Sequence, residues 1–220
     1  MTWVQSYTGK RIELLKPTPG MISPYDIARG LAFQCRFNGQ VRRFSSVAEH
    51  SVLVSRHAGG SKNHQLRALL HDAHEAYLGD VVRPLKRTLY RLGSNAGAYP
   101  IREFLEEVEL QFDVAIAKAF GILVETRGMR PSTMHGLRFV PNDLPPFDSP
   151  EIRMADTRAL LTERRDILAP MPDEWSEDQC GDAKLTPFDE PTAILSPLEA
   201  EAAFLERLHL LGVQLPGMAP

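Results

Sequence analysis

An all-α fold is what this sequence predicts. Three observations carry that expectation. Apolar residues recur at helical spacing through most of the chain. Serine, proline and glycine signals bracket those stretches as helix starts and stops. Only one short stretch near the N-terminus reads as extended. Tyr7-Thr8-Gly9-Lys10 before Arg11-Ile12-Glu13-Leu14-Leu15 suggests a small hairpin, and Pro17, Pro19 and Gly20 then interrupt regular structure. Ser23-Pro24 caps a first helix running to about Cys35, and Asn38-Gly39 marks a turn. Ser45 or Ser46 starts a second helix, with Ser46 and Glu49 in capping-box spacing and Gly59-Gly60 at its end. A third helix is expected from about His64 to Leu78, because Leu66, Leu69, Leu70, Ala73, Ala76 and Tyr77 share one face; Gly79 stops it.

Beyond a turn from Asp80 to Lys86 comes a short helix broken by Gly93 to Tyr99, then a long helix from about Ile101 to Ala119. The glycine and proline residues between 126 and 150 read as an irregular loop. Pro150 starts a helix to about Leu168. The acidic, proline-rich stretch 170–197 reads as a second irregular loop, solvated or serving as a lid or subunit contact, and a last helix runs from about Pro197 to Leu211. The count is seven helices, read as one domain of 220 residues with its motif-bearing core at about 25–168 and a C-terminal loop and helix at 170–211.

Composition narrows the function. Hydrophobic residues at 43% can bury a sizeable core, and a net charge of −3 weighs against a protein that coats a nucleic acid polymer. Cys35 and Cys180 are too few for a disulfide framework, so a cytoplasmic setting is expected, with Cys35 as a small buried hydrophobe. No signal-peptide core and no membrane-length apolar run stand out.

The residues that suggest chemistry are few. His71-Asp72 sits in the middle of the third predicted helix, flanked by Leu70 and Ala73. Neighbours on a helix diverge by about 100°, so the two side chains can meet one ion only at the rim of the apolar face. An aspartate buried there asks for a cation or a hydrogen-bond network. His50 and Asp156, on separate helices, are further ligand candidates. Two imidazoles and two carboxylates suit one divalent ion of manganese, iron, cobalt, nickel or zinc, with positions left for water and a phosphate oxygen. Closure by four cysteines is absent, which argues against a purely structural zinc. Glu75 lies four residues after His71, which would place it on the same helical face, and Asp80 follows the Gly79 stop.

The ordered set Ser46-Val47-Ala48-Glu49-His50-Ser51, His71-Asp72-Ala73-His74-Glu75, Gly79-Asp80 and Ala155-Asp156 resembles the HD superfamily of metal-dependent phosphohydrolases. It is most similar to the bacterial 5′-deoxynucleotidases and related phage HD phosphohydrolases, over about residues 25–168. The resemblance implies an HD-type helical bundle, His50, His71, Asp72 and Asp156 as metal ligands, and Glu75 and Asp80 handling the attacking water and the leaving oxygen. It implies a small phosphorylated substrate, a nucleotide, and an assembly of two or more subunits.

Arg36-Phe37 stands where those deoxynucleotidases carry an Arg-Trp pair that binds phosphate and screens the sugar; phenylalanine lacks the indole N–H. Arg36 is therefore a phosphate candidate, Phe37 a substrate contact or a core residue, and Arg83 and Lys86 phosphate groups or ordinary exposed cations. His74 reads as a surface group. The expected reaction is hydrolysis of a (deoxy)nucleoside 5′-monophosphate to nucleoside and phosphate. The alternative is release of triphosphate from a deoxynucleoside triphosphate. A non-catalytic nucleotide-binding module is a third reading, against which the full ligand set argues. A cyclic-dinucleotide or (p)ppGpp hydrolase would need a second metal, for which only His74 is placed.

Overall fold

A computed structural model describes residues 2–95, 101–131, 139–171, 173, 175 and 184–215. In chain order the elements are β1 Trp3–Gln5, β2 Arg11–Glu13, α1 Pro24–Phe33, α2 Val47–His57, α3 Lys62–Leu69, α4 Glu75–Leu78, α5 Arg83–Asn95, α6 Ile101–Ala119, β3 Thr126–Pro131, β4 Phe139–Asp143, α7 Pro150–Ile167 and α8 Pro197–Leu210. Short 3-10 turns cover Pro19–Met21 and Arg36–Gly39. The fold is all-α with a small N-terminal hairpin, as the periodicity predicts. No helix among the described residues is long and apolar enough to cross a membrane.

The chain gathers into two compact units. The first holds Met1–Ser23 and Val81–Pro146. In it β1 and β2 pair antiparallel, with Val4 opposite Ile12, and the Pro19–Met21 turn and α5 both pack on α6. Val108, Phe112, Ala115 and Ile116 of α6 are buried at helical spacing. The stretch read as a loop from 126 holds a second hairpin, with Thr126 opposite Asp143 and Pro131 opposite Phe139 and a register shift between Thr126 and Met129. Its prolines argued for a loop. A two-stranded ribbon is all edge, however, so a proline can sit where no ladder hydrogen bond is needed. Gly136 and His135 lie outside the described residues. Helix α5 runs on to Asn95, through the Gly93 expected to break it.

The second unit holds Pro24–Asp80 and Phe147–Pro220 and is built around α2. Helix α2 touches α1, α3, α7 and α8, and Val47, Ala48, His50, Ser51, Val52, Leu53, Val54 and Ser55 are all buried. A helix surrounded in this way has no solvent face to spare, so every polar group it carries needs a partner. Ser51 and Ser55 find theirs in the carbonyls of Val47 and Gln65, at 2.9 and 2.8 Å. Leu53, Val54 and Ala58 meet Ala68, Ile152, Ala155, Ala159 and Phe188 in one apolar cluster. The start of α2 is fixed by a full capping box: Ser46 Oγ accepts from the Glu49 N–H, and the Glu49 carboxylate accepts from the Ser46 N–H.

The third predicted helix is two helices. Helix α3 ends at Leu69, residues 70–74 form turns, and α4 begins at Glu75, which brings the helices of the described residues to eight. The His71 Nδ1 lies 2.9 Å from the Ala68 carbonyl, and the N–H groups of Ala73 and Glu75 donate three residues back, to Leu70 and Asp72. A ring N–H competes there with the backbone for a carbonyl, a choice that hydrophobic spacing does not encode. Described parts of 170–196 carry no helix or strand.

Helix α4 reaches its place because α1 carries a glycine. A Cβ built on Gly30 would stand 2.8 Å from Ala76 Cβ and 2.9 Å from the Ala76 carbonyl oxygen. Gly30→Ala would gain about 1 kcal/mol of helix propensity. It would also force two backbones apart, an overpacking cost of about 1–3 kcal/mol. The expected net outcome is a lower urea midpoint with an unchanged slope, checked by equilibrium unfolding followed by circular dichroism.

Candidate metal centre

The side chains of interest arrive from four places in the second unit. His50 sits in the first turn of α2, which the Ser46 cap positions. His71 and Asp72 come from the turns after α3, Glu75 from the start of α4, and Asp156 and Glu163 from α7. Ser149 starts α7 by accepting from the Ile152 N–H at 3.2 Å, with Pro150 in the first turn. Asp156 and Glu163 are seven residues apart, two turns on one face. Arg36 is brought in by backbone: its N–H donates to the Ser45 carbonyl at 2.9 Å, and Val47 N–H donates to the Gln34 carbonyl, tying the Arg36–Gly39 turn to the start of α2.

Two imidazole nitrogens and two carboxylates converge. His50 Nε2 is 3.1 Å from Asp156 Oδ1 and 3.8 Å from Asp72 Oδ2. His71 Nε2 is 3.1 Å from Asp72 Oδ2 and 3.9 Å from Asp156 Oδ1. The two rings are 5.4 Å apart, tilted by 45°. His50, His71 and Asp156 can hold a metal ion, since one ligand atom from each lies within 4.8 Å of the others. The chemistry of the donors fits. The Ala68 carbonyl beside His71 Nδ1 can only accept, and the Glu163 carboxylate lies 3.0 Å from His50 Nδ1. Holding a cation, each ring would be neutral, with its N–H outward and the Nε2 lone pair inward. Nε2 of His71 is buried without a hydrogen-bond partner.

Charge follows from this crowding. Burial and the Arg36 charge push the His50 ring down, but Glu163 and Asp156 outweigh them and raise its pKa to about 10. Burial would raise Asp72, yet His71 and His50 hold it well below the ordinary carboxylate range, and Asp156 is lowered in the same way by His50 and His71. Glu75 goes in the opposite direction. Burial and the nearby charges of Asp72 and Asp80 lift it well above the usual value, and its Oε2 is buried without a hydrogen-bond partner. Gln34 braces the turn that follows: its amide donates to the Glu75 carbonyl at 2.8 Å, and its oxygen accepts from the Asp80 N–H at 2.8 Å. Gly79, at φ 88°, closes α4 with its N–H on the Glu75 carbonyl.

Several expectations change. Glu75 does not share a continuous helix with His71, because the chain turns between them; burial, not helical spacing, sets it beside Asp72. His74 is buried at 8% exposure rather than lying on the surface. Cys35 is only half-buried, since the chain around it forms an isolated bridge to Ser46; Cys180 lies outside the described residues. Arg36 is no surface salt bridge: its Nε and Nη2 grip Glu163 at 3.3 and 2.9 Å. Phe37 has φ 54°, an uncommon conformation for a bulky residue, and its ring lies 6.3 Å from that of Trp175 and 5.4 Å from the Arg36 guanidinium carbon. Arg83 and Lys86 belong to the other compact unit, where Lys86 pairs with Glu109 at 2.8 Å. Glu163 is the residue that sequence reasoning missed. Its signal was the seven-residue interval from Asp156, together with the need of a buried His50 for a second partner.

No protein-family model matches the chain. It is similar to an uncharacterized protein of Rhodobacter capsulatus, 45% identical over 94 residues that cover 40% of this chain and 48% of that protein. It is also similar to the uncharacterized protein YfdR of Escherichia coli, 32% identical over 167 residues that cover 76% of this chain and 73% of that protein. The chain spans about half the length of the first of these relatives.

The His50 shift has a measurable sign. A ring whose folded pKa is about 10, against an ordinary value of 6.5, adds stability that is complete below pH 6.5. That contribution fades as pH rises toward 10. Chelator-treated protein is therefore expected to lose melting temperature across that window in calorimetry, and His50→Gln to lose less over the same range.

Proposed function

The chain belongs to the family of Escherichia coli YfdR, and we propose that this member is a metal-dependent phosphohydrolase of the HD-domain type acting on nucleotides. The observation that carries the proposal is the meeting of His50, His71 and Asp156, from α2, the turns after α3, and α7, as a group that could hold one ion, with Asp72 Oδ2 3.1 Å from His71 Nε2. A divalent cation of the manganese-to-zinc series held by these four would supply Lewis acidity, lowering the pKa of water and neutralising phosphate charge.

The remaining side chains divide the work. Arg36 is positively charged and buried beside the centre, and its Nη1–Nη2 edge remains for a phosphate once Glu163 has taken the other edge. Asp80 accepts the proton of the attacking water. Glu75, whose carboxyl is lifted by burial and by the charges of Asp72 and Asp80, donates to the leaving ribose oxygen as the phosphorus–oxygen bond breaks. For a nucleoside 5′-monophosphate the products are nucleoside and phosphate.

Purified protein loaded with Mn²⁺ or Co²⁺ is expected to release phosphate from nucleoside monophosphates. Asp72→Ala should fall to background, and Glu75→Gln should lose about 100-fold or more in kcat. Release of triphosphate from deoxynucleoside triphosphates would move the substrate assignment. Activity retained by Asp72→Ala would end the catalytic assignment.

A further inference from the structure

We propose that Glu163 is a positioning residue that sets the metal affinity of the centre by holding His50 from behind, an inference that rests on the metal reading above. Glu163 faces Nδ1 of His50, the edge opposite the Nε2 that meets Asp156. Its side chain is 2% exposed, and both oxygens are engaged: Oε1 lies 3.0 Å from His50 Nδ1 and 3.3 Å from Arg36 Nε, and Oε2 lies 2.9 Å from Arg36 Nη2.

A carboxylate can only accept, so at this distance it takes the Nδ1 proton of His50. The neutral ring then has one arrangement, with its lone pair on Nε2 facing Asp72 and Asp156. The same carboxylate fixes the plane of the Arg36 guanidinium through the Nε–Nη2 fork. One buried anion therefore orients a cation ligand and a phosphate group together. The outward partner of His71 is a backbone carbonyl, which no substitution removes. Glu163 is thus where side-chain chemistry can tune this pair of histidines.

Glutamine at this position would keep the shape and reverse one edge. With its oxygen on His50 Nδ1 and Arg36 Nε, its N–H₂ would face Arg36 Nη2, donor against donor. When that oxygen turns to Arg36, the amide N–H₂ faces His50 Nδ1 and favours the tautomer with the proton on Nε2, which blocks the ligand position.

The test is Mn²⁺ binding to chelator-treated protein, measured by electron paramagnetic resonance of the free ion and by titration calorimetry. Glu163→Gln is expected to weaken Mn²⁺ about 10- to 100-fold. Arg36→Met, which leaves the Glu163–His50 contact in place, should change Mn²⁺ affinity less than about threefold while raising the KM for a phosphorylated substrate. Melting curves without metal report the folding of each variant. Where Glu163→Gln alone does not fold, Glu163→Leu combined with Arg36→Met removes the acceptor behind His50 and the guanidinium together and carries the measurement against Arg36→Met. Equal Mn²⁺ affinity in wild type and Glu163→Gln overturns the positioning role and leaves the metal reading standing. Wild-type protein that takes up no Mn²⁺ overturns both.

Discussion

Everything in the second unit turns on keeping His50 buried and polar. The ring is 1% exposed, on a helix packed by four others. Isolated there, an imidazole would lose its hydration without return. Glu163 on one edge and Asp156 with Asp72 on the other repay that loss. Each carboxylate brought in is then a buried charge of its own, to be met by Arg36 or by His71. The outcome is a set of opposite charges in which His50, His71 and Arg36 each face at least one carboxylate. Breaking such a set typically costs more than the set contributes to stability.

The helices answer to that set. Helix α2 must begin at Ser46 for His50 to fall in its first turn, and the capping box fixes the beginning. Helix α3 must end before His71, so that the ring can reach back to the Ala68 carbonyl and aim Nε2 inward. Helix α4 must lie against Gly30 for Glu75 to be buried, and Gln34 of the following turn holds its carbonyl. Helix α7 supplies Asp156 and Glu163 from one face, while its neighbouring residues Ile152, Ala155 and Ala159 build the apolar cluster with α2 and Phe188. Packing and chemistry thus share the same helices, with apolar residues setting the distances at which charged ones meet.

Glu75 and Asp156 show how environment separates like groups. Both are carboxylates within one centre. Asp156 is held low because two imidazoles face it. Glu75 is lifted because it is buried and its neighbours include Asp72 and Asp80. Neither direction could be assigned from residue type, since both depend on which charges share a desolvated space.

The elements were largely legible from local signals. The Ser46–Glu49 box, Ser149-Pro150, Gly79 and the apolar spacing of 101–119 act within a few residues of themselves, and hydrogen bonds and torsions at that range are written in the sequence. The all-α class and the convergence candidates His50, His71, Asp72 and Asp156 followed from them and from a resemblance. The split of the third helix, the 126–143 ribbon, the burial of His74 and the whole role of Glu163 did not. The helix split turns on a side-chain contact from His71 to the Ala68 carbonyl that apolar spacing does not encode, and the role of Glu163 on partners far along the chain, 113 residues away at His50 and 127 at Arg36. Such pairings gain their strength only once water is excluded, and which groups will share a dry space is a property of the packed molecule.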